Sequence, residues 1–249
     1  MHNMVRTRHL RQAPIIEAIF DFRVKARPEF RAEEFATIRS QLANHFPKMG
    51  KGHAFQTTIE PQPEAQPPVV QDLGLQGYFF RDAEDKTIAQ FRIDGFTFNR
   101  LHPYTSWDEL FPVVRQLWSV YSTVARPQVI TRLAVRYINR IPLPPGPFSF
   151  EEYLRGAPVV PPELPQNVSG FLTRITIHDP EMMIGAHIAQ ALEVDPERRL
   201  ATILDIDAFK EAEFSIGEPA IEDTFNRLRI FKNLIFFNSL TEKTLRSFE

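Results

Sequence analysis

The sequence predicts an α+β protein made of two halves that share one order of elements: a strand, a helix, three or four strands and a second helix. Stretches of alternating polar and apolar residues recur along the chain and indicate half-buried strands. Helix-starting capping boxes occur twice, as S-W-D-E at 106–109 and S-F-E-E at 149–152. An Asp-Gly pair at 94–95 indicates a hairpin turn. We therefore place one half in residues 1–125 and the other in 126–249, packed as one continuous domain.

The elements of the first half follow from their patterns in chain order. A strand over Ile15–Val24 has apolar residues at its even positions, and a helix over 30–46 has an apolar stripe followed by Pro47. The glycine-containing residues 47–53 predict a turn, and the proline-rich residues 61–68 predict a loop. Further strands are predicted at 54–60, 75–82, 87–93 and 96–101, and a helix runs from Ser106 to about residue 124.

The second half repeats this order with one strand fewer. It begins with the strand Val129–Ile141, followed by a proline turn at 142–147, a short helix ending near Arg155 and a second proline-rich loop at 156–167. Strands are predicted at 168–178, 182–192 and 200–209, and a long helix at 218–238. Thr241 is suited to cap a final short turn.

The strand Val129–Ile141 carries the main candidate site, because Arg132, Arg136 and Arg140 share one of its faces. Glu17 and Asp21 show the same spacing of four in the first strand. We predict that the two strands are adjacent, antiparallel and central in one sheet. The arginine row is then either a cross-strand ion-pair ladder, which we favour, or a binding surface for phosphate or carboxylate. Two carboxylates against these arginines leave positive charge to spare for an acidic ligand.

A second set of polar residues suggests a metal-dependent alternative. Two histidines and two aspartates fall on neighbouring predicted strands: His178, His187, Asp205 and Asp207. Histidine and carboxylate side chains together bind divalent metals, so a hydrolase or nuclease is the alternative function. No H-x-H or H-E-x-x-H spacing supports a metal site, and such residues are common at strand ends. The sequence therefore indicates no cofactor.

Composition and missing motifs restrict the remaining classes. The chain of 249 residues has no cysteine, which excludes disulfides and a cysteine nucleophile, and its net charge of −2 gives no general attraction for nucleic acid. No phosphate-binding loop or serine-nucleophile motif occurs. No apolar run is long enough for a signal peptide or a membrane span, so we expect a cytoplasmic protein without membrane contact.

Aromatic residues offer two further interpretations. Phenylalanines and arginines interleave between residues 79 and 100, as in single-strand nucleic-acid platforms, although we expect these rings to form core. Trp107 and Trp118 are likewise expected in the helix core. The last helix is apolar on most sides around Ile230–Phe237, so we expect part of it under the proline loops or in a homodimer interface.

The order of elements resembles the TATA-box-binding-protein and helix-grip class of folds. That resemblance implies one curved antiparallel sheet with helices on one face. Three short motifs also resemble a sporadically distributed bacterial family of uncharacterised proteins: A-P-I-x-E-A at 13–18, R-Y-x-N-R-I at 136–141 and F-x-S-L-T at 237–241. Because that family has no established activity, the likeness implies kinship without a mechanism.

These observations favour a binding protein over an enzyme. We expect an acidic ligand or partner protein on an arginine-lined sheet face or in a helix-covered cleft. The candidate binding residues are Arg132, Arg136, Arg140, Glu17 and Asp21.

Overall fold

The computed structural model describes residues 10–58, 69–146, 148–195 and 197–249. These residues form one antiparallel sheet of nine strands with four α-helices, which confirms the α+β class. The strands are β1 (Ile15–Lys25), β2 (Lys48–Thr58), β3 (Val69–Arg81), β4 (Thr87–Arg92), β5 (Gly95–Leu101), β6 (Val129–Pro142), β7 (Leu172–Asp179), β8 (Ile184–Val194) and β9 (Leu200–Phe214). The helices are α1 (Arg39–Leu42), α2 (Trp107–Ala125), α3 (Ala220–Ser239) and α4 (Glu242–Arg246), with 3-10 turns at Ala32–Ile38 and Phe150–Glu152.

The two strands predicted to be central are neighbours in the sheet. The strand order is β2-β3-β4-β5-β1-β6-β9-β8-β7, and β1 pairs antiparallel with β6. Phe20 lies opposite Val135, and Phe22 lies opposite Leu133. This register places the apolar rows of both strands on one face and the arginine row on the other, as predicted.

The apolar face is covered by the two longest helices through aromatic contacts. Phe20 lies against Trp107 of α2 with ring centroids 5.0 Å apart, and Phe22 stacks on Trp118 at 4.2 Å. Phe225 of α3 contacts Phe22 at 4.9 Å. Each such pair contributes about 0.5–1.5 kcal/mol beyond area burial. Both tryptophans are buried, which confirms their predicted core position.

Two of the three predicted helix caps form in the structure, and one does not. The Ser106 hydroxyl accepts a hydrogen bond from the Glu109 amide at 3.2 Å, and Thr241 caps α4 through the Thr244 amide at 3.3 Å. Ser149 makes no such bond, since the segment that follows it is a single 3-10 turn, so its predicted capping box is wrong. No described helix is long and apolar enough to cross a membrane.

The predicted helix over 30–46 is mostly a 3-10 turn, and only Arg39–Leu42 is α-helical. Arg31, at its start, has no side-chain oxygen that could accept a capping hydrogen bond as Ser or Asp would. Two β-branched residues, Thr37 and Ile38, follow each other at its centre. Both features disfavour a long α-helix. The segment still buries Phe35, whose ring meets Phe91 of the sheet at 5.6 Å.

Gly50 and Gly52, which predict a turn at 47–53, belong to β2 instead. Gly50 lies opposite Phe79 of β3, and a Cβ on this glycine would come within 2.1 Å of the Phe79 ring. The glycine thus permits a close ring contact within the sheet. Strands β3 and β9 also extend beyond their predicted limits, to Val69 and to Phe214. The predicted loop at 61–68 lies outside the described residues.

The last helix buries half of its apolar cluster within the chain. Phe231, Ile235 and Phe236 are buried in the core. Ile230 and Leu234 remain 62% and 38% exposed, one turn apart on the outer side. In the described part of the chain neither side chain is covered by a proline-rich loop, and their burial in a homodimer interface stays a prediction.

Candidate functional site

The polar face is the side of the sheet that carries the arginine row of β6, and its most enclosed ion pair is that of Arg132. The Arg132 guanidinium donates to both carboxylate oxygens of Asp207 on β9, at 3.0 and 2.8 Å, and to Asp21 on β1 at 3.3 Å. Its side chain is 12% exposed. The same guanidinium lies 5.1 Å from the centre of the Phe209 ring. Arg132 thus links three central strands.

The other two arginines of the row have carboxylate partners in the second half of the chain. Arg136 donates to Asp205 at 2.9 and 2.6 Å, and Arg140 donates to Glu193 at 2.7 Å. The hydrogen bond to Asp205 is the main cause that raises the pKa of Arg136. Arg136 keeps 46% of its side chain exposed, so this pair is open to solvent.

The carboxylates of β1 contribute less to the row than the sequence predicted. Asp21 meets Arg132, while Glu17 accepts a hydrogen bond from Asn99 of β5 at 2.7 Å. The sequence-based charge count considered only β1 and therefore left the arginines in surplus. Carboxylates from β8 and β9 remove that surplus, since each arginine of the row has at least one carboxylate partner.

The four residues predicted as an alternative metal site lie on one face of the sheet but contact different partners. Asp205 and Asp207 are engaged by arginines. His187 lies 2.9 Å from the Thr176 hydroxyl and stacks on Phe209, while His178 meets the edge of the same ring. Among the described residues, no group of three or more histidines and carboxylates could hold a metal ion.

The interleaved phenylalanines are core residues, as expected. Phe80, Phe91, Phe96 and Phe98 are all at most 1% exposed. Phe79 alone of this set lies on the other face, where Arg81 packs over its ring at 4.7 Å.

A second site lies on the helix side of the sheet, and none of the predicted binding residues lines it. This α3 cleft, with a volume of about 750 Å³, is bounded by the start of β1, the loop at 102–106, the start of α2, β6 and α3. Its size falls in the range of small-molecule sites. Its lining includes Tyr104, Trp107, Tyr137, Asn139, Arg229 and Lys232.

Lys232 is the distinctive group of the α3 cleft. Its residue is 8% exposed, and its Nζ lies 3.7 Å from the centre of the Tyr137 ring. Within the described part of the chain it has neither a hydrogen-bond nor a carboxylate partner. Burial first, and the positive charge of Arg229 second, lower the pKa of Lys232 to about 7. A buried amine that titrates near neutral pH in a cleft is a mark of functional sites.

The walls around Lys232 are aromatic and rigid. The hydroxyls of Tyr104 and Tyr137 lie 3.3 Å apart, and burial raises the pKa of both. Asn139 is 1% exposed and donates to the backbone carbonyl of Leu204 at 3.0 Å. These contacts fix the floor of the cleft on β6.

Arg229 supplies the second positive charge of the α3 cleft. Its guanidinium lies over the Trp107 ring at 5.1 Å and 3.3 Å from Asp108. The Asp108 side chain is 82% exposed, so this ion pair is largely solvated and weak. The titratable or charged groups that line the cleft with Lys232 are Arg11, His102, Tyr104, Asp108, Tyr137 and Arg229. Together they present cations and aromatic rings with a single carboxylate.

The sequence did contain a signal for Lys232. Phe225, Leu228 and Ile235 form the buried stripe of α3, and position 232 falls on that stripe at helical spacing. A lysine on the apolar stripe of an amphipathic helix either reaches solvent with its end or serves a site. Its burial against Tyr137 depends on the packing of α3 over β6, which sequence spacing does not show.

A comparison with protein-family models and one with curated proteins each find no match. The three short motifs of the sequence analysis nevertheless meet in space. Five residues that line the α3 cleft come from these motifs: Ala13 and Ile15 from the first, Tyr137 and Asn139 from the second, and Phe237 from the third. Arg136 and Arg140 of the middle motif point to the polar face instead.

Proposed function

We propose that this protein binds a small organic acid in the α3 cleft. The observation that carries the proposal is Lys232, a nearly buried amine that lines the cleft and has no carboxylate partner among the described residues. A bound carboxylate would supply the missing counter-charge to Lys232 and would also pair with Arg229. Trp107 and Phe236 offer apolar walls for the rest of the ligand.

Binding and protonation are coupled at this site. An anion next to Lys232 raises the pKa of the amine above its free value of about 7. Above pH 7 the complex therefore takes up a proton on formation, and the affinity falls as pH rises. The dissociation constant should increase by up to about tenfold per pH unit between pH 7.5 and 9.

The test compares two variants with opposite expectations. Phenylacetate, benzoate and pyruvate are titrated into the protein, Lys232→Met and Arg136→Ala, with 2-phenylethanol as the uncharged control. We expect an acid to bind the protein and Arg136→Ala alike, and to lose affinity in Lys232→Met. Acid binding that is unaffected by Lys232→Met would refute the proposal.

A second candidate is the expected acidic partner on the polar face. The observation that favours it is exposure, since Arg136 and Arg23 keep 46% and 60% of their side chains open. A macromolecular acid could compete there with Asp205. Loss of binding in Arg136→Ala but not in Lys232→Met would favour this surface. Nucleic acid is the weaker partner, and its binding would fall steeply with added salt.

The metal-dependent hydrolase or nuclease receives less support. A cation at Asp205 and Asp207 would have to displace the guanidinium groups of Arg136 and Arg132. Added divalent metal should therefore leave the melting temperature of the protein unchanged. A metal-dependent increase would restore this alternative.

We also propose that the sheet consists of two related curved halves, as in the resemblance to the TATA-box-binding-protein class. The strand order supports this, because the strands of residues 1–125 lie on one side of the β1–β6 junction and those of 126–249 on the other. Separate expression of each half tests whether each folds alone.

A homodimer through the last helix remains a proposal. Ile230 and Leu234 form the exposed apolar side that a second copy would cover. Size-exclusion chromatography of Ile230→Lys against the unchanged protein would show a shift to monomer if this surface joins two copies.

A further inference from the structure

The amine of Lys232 has two features of a nucleophile rather than of a structural cation. It is enclosed, and it has no hydrogen-bond or carboxylate partner in the described residues. Its contact with the Tyr137 ring is the one interaction that favours its charged form. A structural buried lysine would be expected to have a counter-ion, since an unpaired buried charge is costly. The cleft beside it has room for a small molecule.

Two physical effects keep this amine uncharged in a large fraction of molecules at neutral pH. Burial disfavours the ammonium form, and the positive charge of Arg229 disfavours it further. Desolvation together with a neighbouring cation is one of the known ways in which proteins activate lysine for attack on carbonyl groups. The free lone pair of such an amine is available for bond formation.

We propose that Lys232 forms a Schiff base with a small 2-oxo acid in the α3 cleft, which rests on the acid-binding function proposed above. The amine nitrogen attacks the ketone carbon, and the carbonyl electron pair moves to oxygen, which takes up the proton released by nitrogen. That oxygen then leaves as water together with the second proton of the nitrogen, and a carbon–nitrogen double bond remains. One amine and one carbonyl thus give one imine and one water, and no oxidant or reductant is needed.

The neighbouring groups fit the two ends of such a ligand. Arg229 is held on α3 one turn before Lys232, and its partner Asp108 is largely exposed. A ligand carboxylate can therefore pair with Arg229 while the ketone meets the amine. When this imine takes up a proton from solvent, it carries a positive charge at the position of Nζ, 3.7 Å from the centre of the Tyr137 ring. The ring face stabilises that cation as it stabilises the ammonium form.

The experiment is reductive trapping. The full-length protein is incubated with pyruvate or phenylpyruvate, treated with sodium borohydride, and analysed by intact mass and peptide mapping. The 2-hydroxy acids lactate and phenyllactate serve as ligands that have the carboxylate but no carbonyl. Lys232→Met removes the amine at similar volume, and Lys25→Met removes an exposed lysine as the matched control.

We expect one reduced adduct per chain on the peptide that contains Lys232, retained in Lys25→Met and lost in Lys232→Met. Adducts spread over the exposed lysines, or none at all, would overturn the inference. If no adduct forms while phenyllactate binds in a manner that depends on Lys232, the inference fails and the acid-binding function stands. If neither acid binds, both fail.

Discussion

Positively charged side chains have different surroundings on the two sides of the sheet. On the polar face, Arg132 meets two carboxylates and is 12% exposed. On the helix side, Lys232 is 8% exposed and meets an aromatic ring and the field of another cation. Both cations are removed from water, but only the first has its charge compensated within the described residues. The protein itself compensates the charge of Arg132, whereas burial of Lys232 carries a cost in stability that the acid of the proposed function would offset.

The largest expected effect is the pH dependence of stability caused by Lys232. Its pKa is about 7 in the folded protein and near 10.5 when unfolded. Between these values the unfolded chain binds the extra proton, so stability rises with pH in this window and the full penalty persists below pH 7. Urea unfolding should show a gain of about 3 kcal/mol between pH 7 and 9.5 from this residue. Lys232→Met should lack that gain, and an unchanged pH slope in this variant would contradict the buried, unpaired amine.

The next effect concerns the enclosed ion pair. Arg132→Ala leaves Asp207 without its guanidinium partner and removes the nearest of three arginines from Asp21, which keeps Arg92 at 3.5 Å and Arg23 at 3.6 Å. The side chains of Arg132, Asp207 and Asp21 are at most 23% exposed. We expect the free energy of unfolding to fall by about 2–3 kcal/mol, somewhat less than for a fully buried pair. Arg174→Ala, an exposed arginine on β7, is the control and should change it by at most about 0.5 kcal/mol. Equal effects of the two substitutions would show that the polar face has no special role in stability.

The smallest effect distinguishes two members of the same row. The Arg136–Asp205 pair has good geometry but lies in solvent, so Arg136→Ala should cost about 0–1 kcal/mol. A double-mutant cycle with Asp205→Ala isolates the coupling between the two side chains. A coupling above about 2 kcal/mol would mean that this pair is as enclosed as that of Arg132. Arg136→Ala combined with Asp21→Ala should be additive, since Asp21 pairs with Arg132 instead.

The sequence predicted the central part of the fold well because its signal is local. Alternation in β1 and β6 separates apolar from polar positions, and this identified both the buried rows and the arginine face. The cap of α2 at Ser106 has the same local origin. At Gly50 the local signal misled, since a glycine favours a turn and a close ring contact equally well, and only the position of Phe79 separates them.

What the sequence determined by itself is therefore the period of each segment and the set of charges on each face. The tertiary structure decided which charges meet. Asp205 and Asp207 are more than sixty residues from the arginines they pair with, and no spacing rule reaches across β9 to β6. The pKa of Lys232 is lowered because α3 packs onto Tyr137 and buries the amine. Desolvation is a property of the whole packed environment, which is why the sequence could mark this residue as unusual but could not give its chemistry.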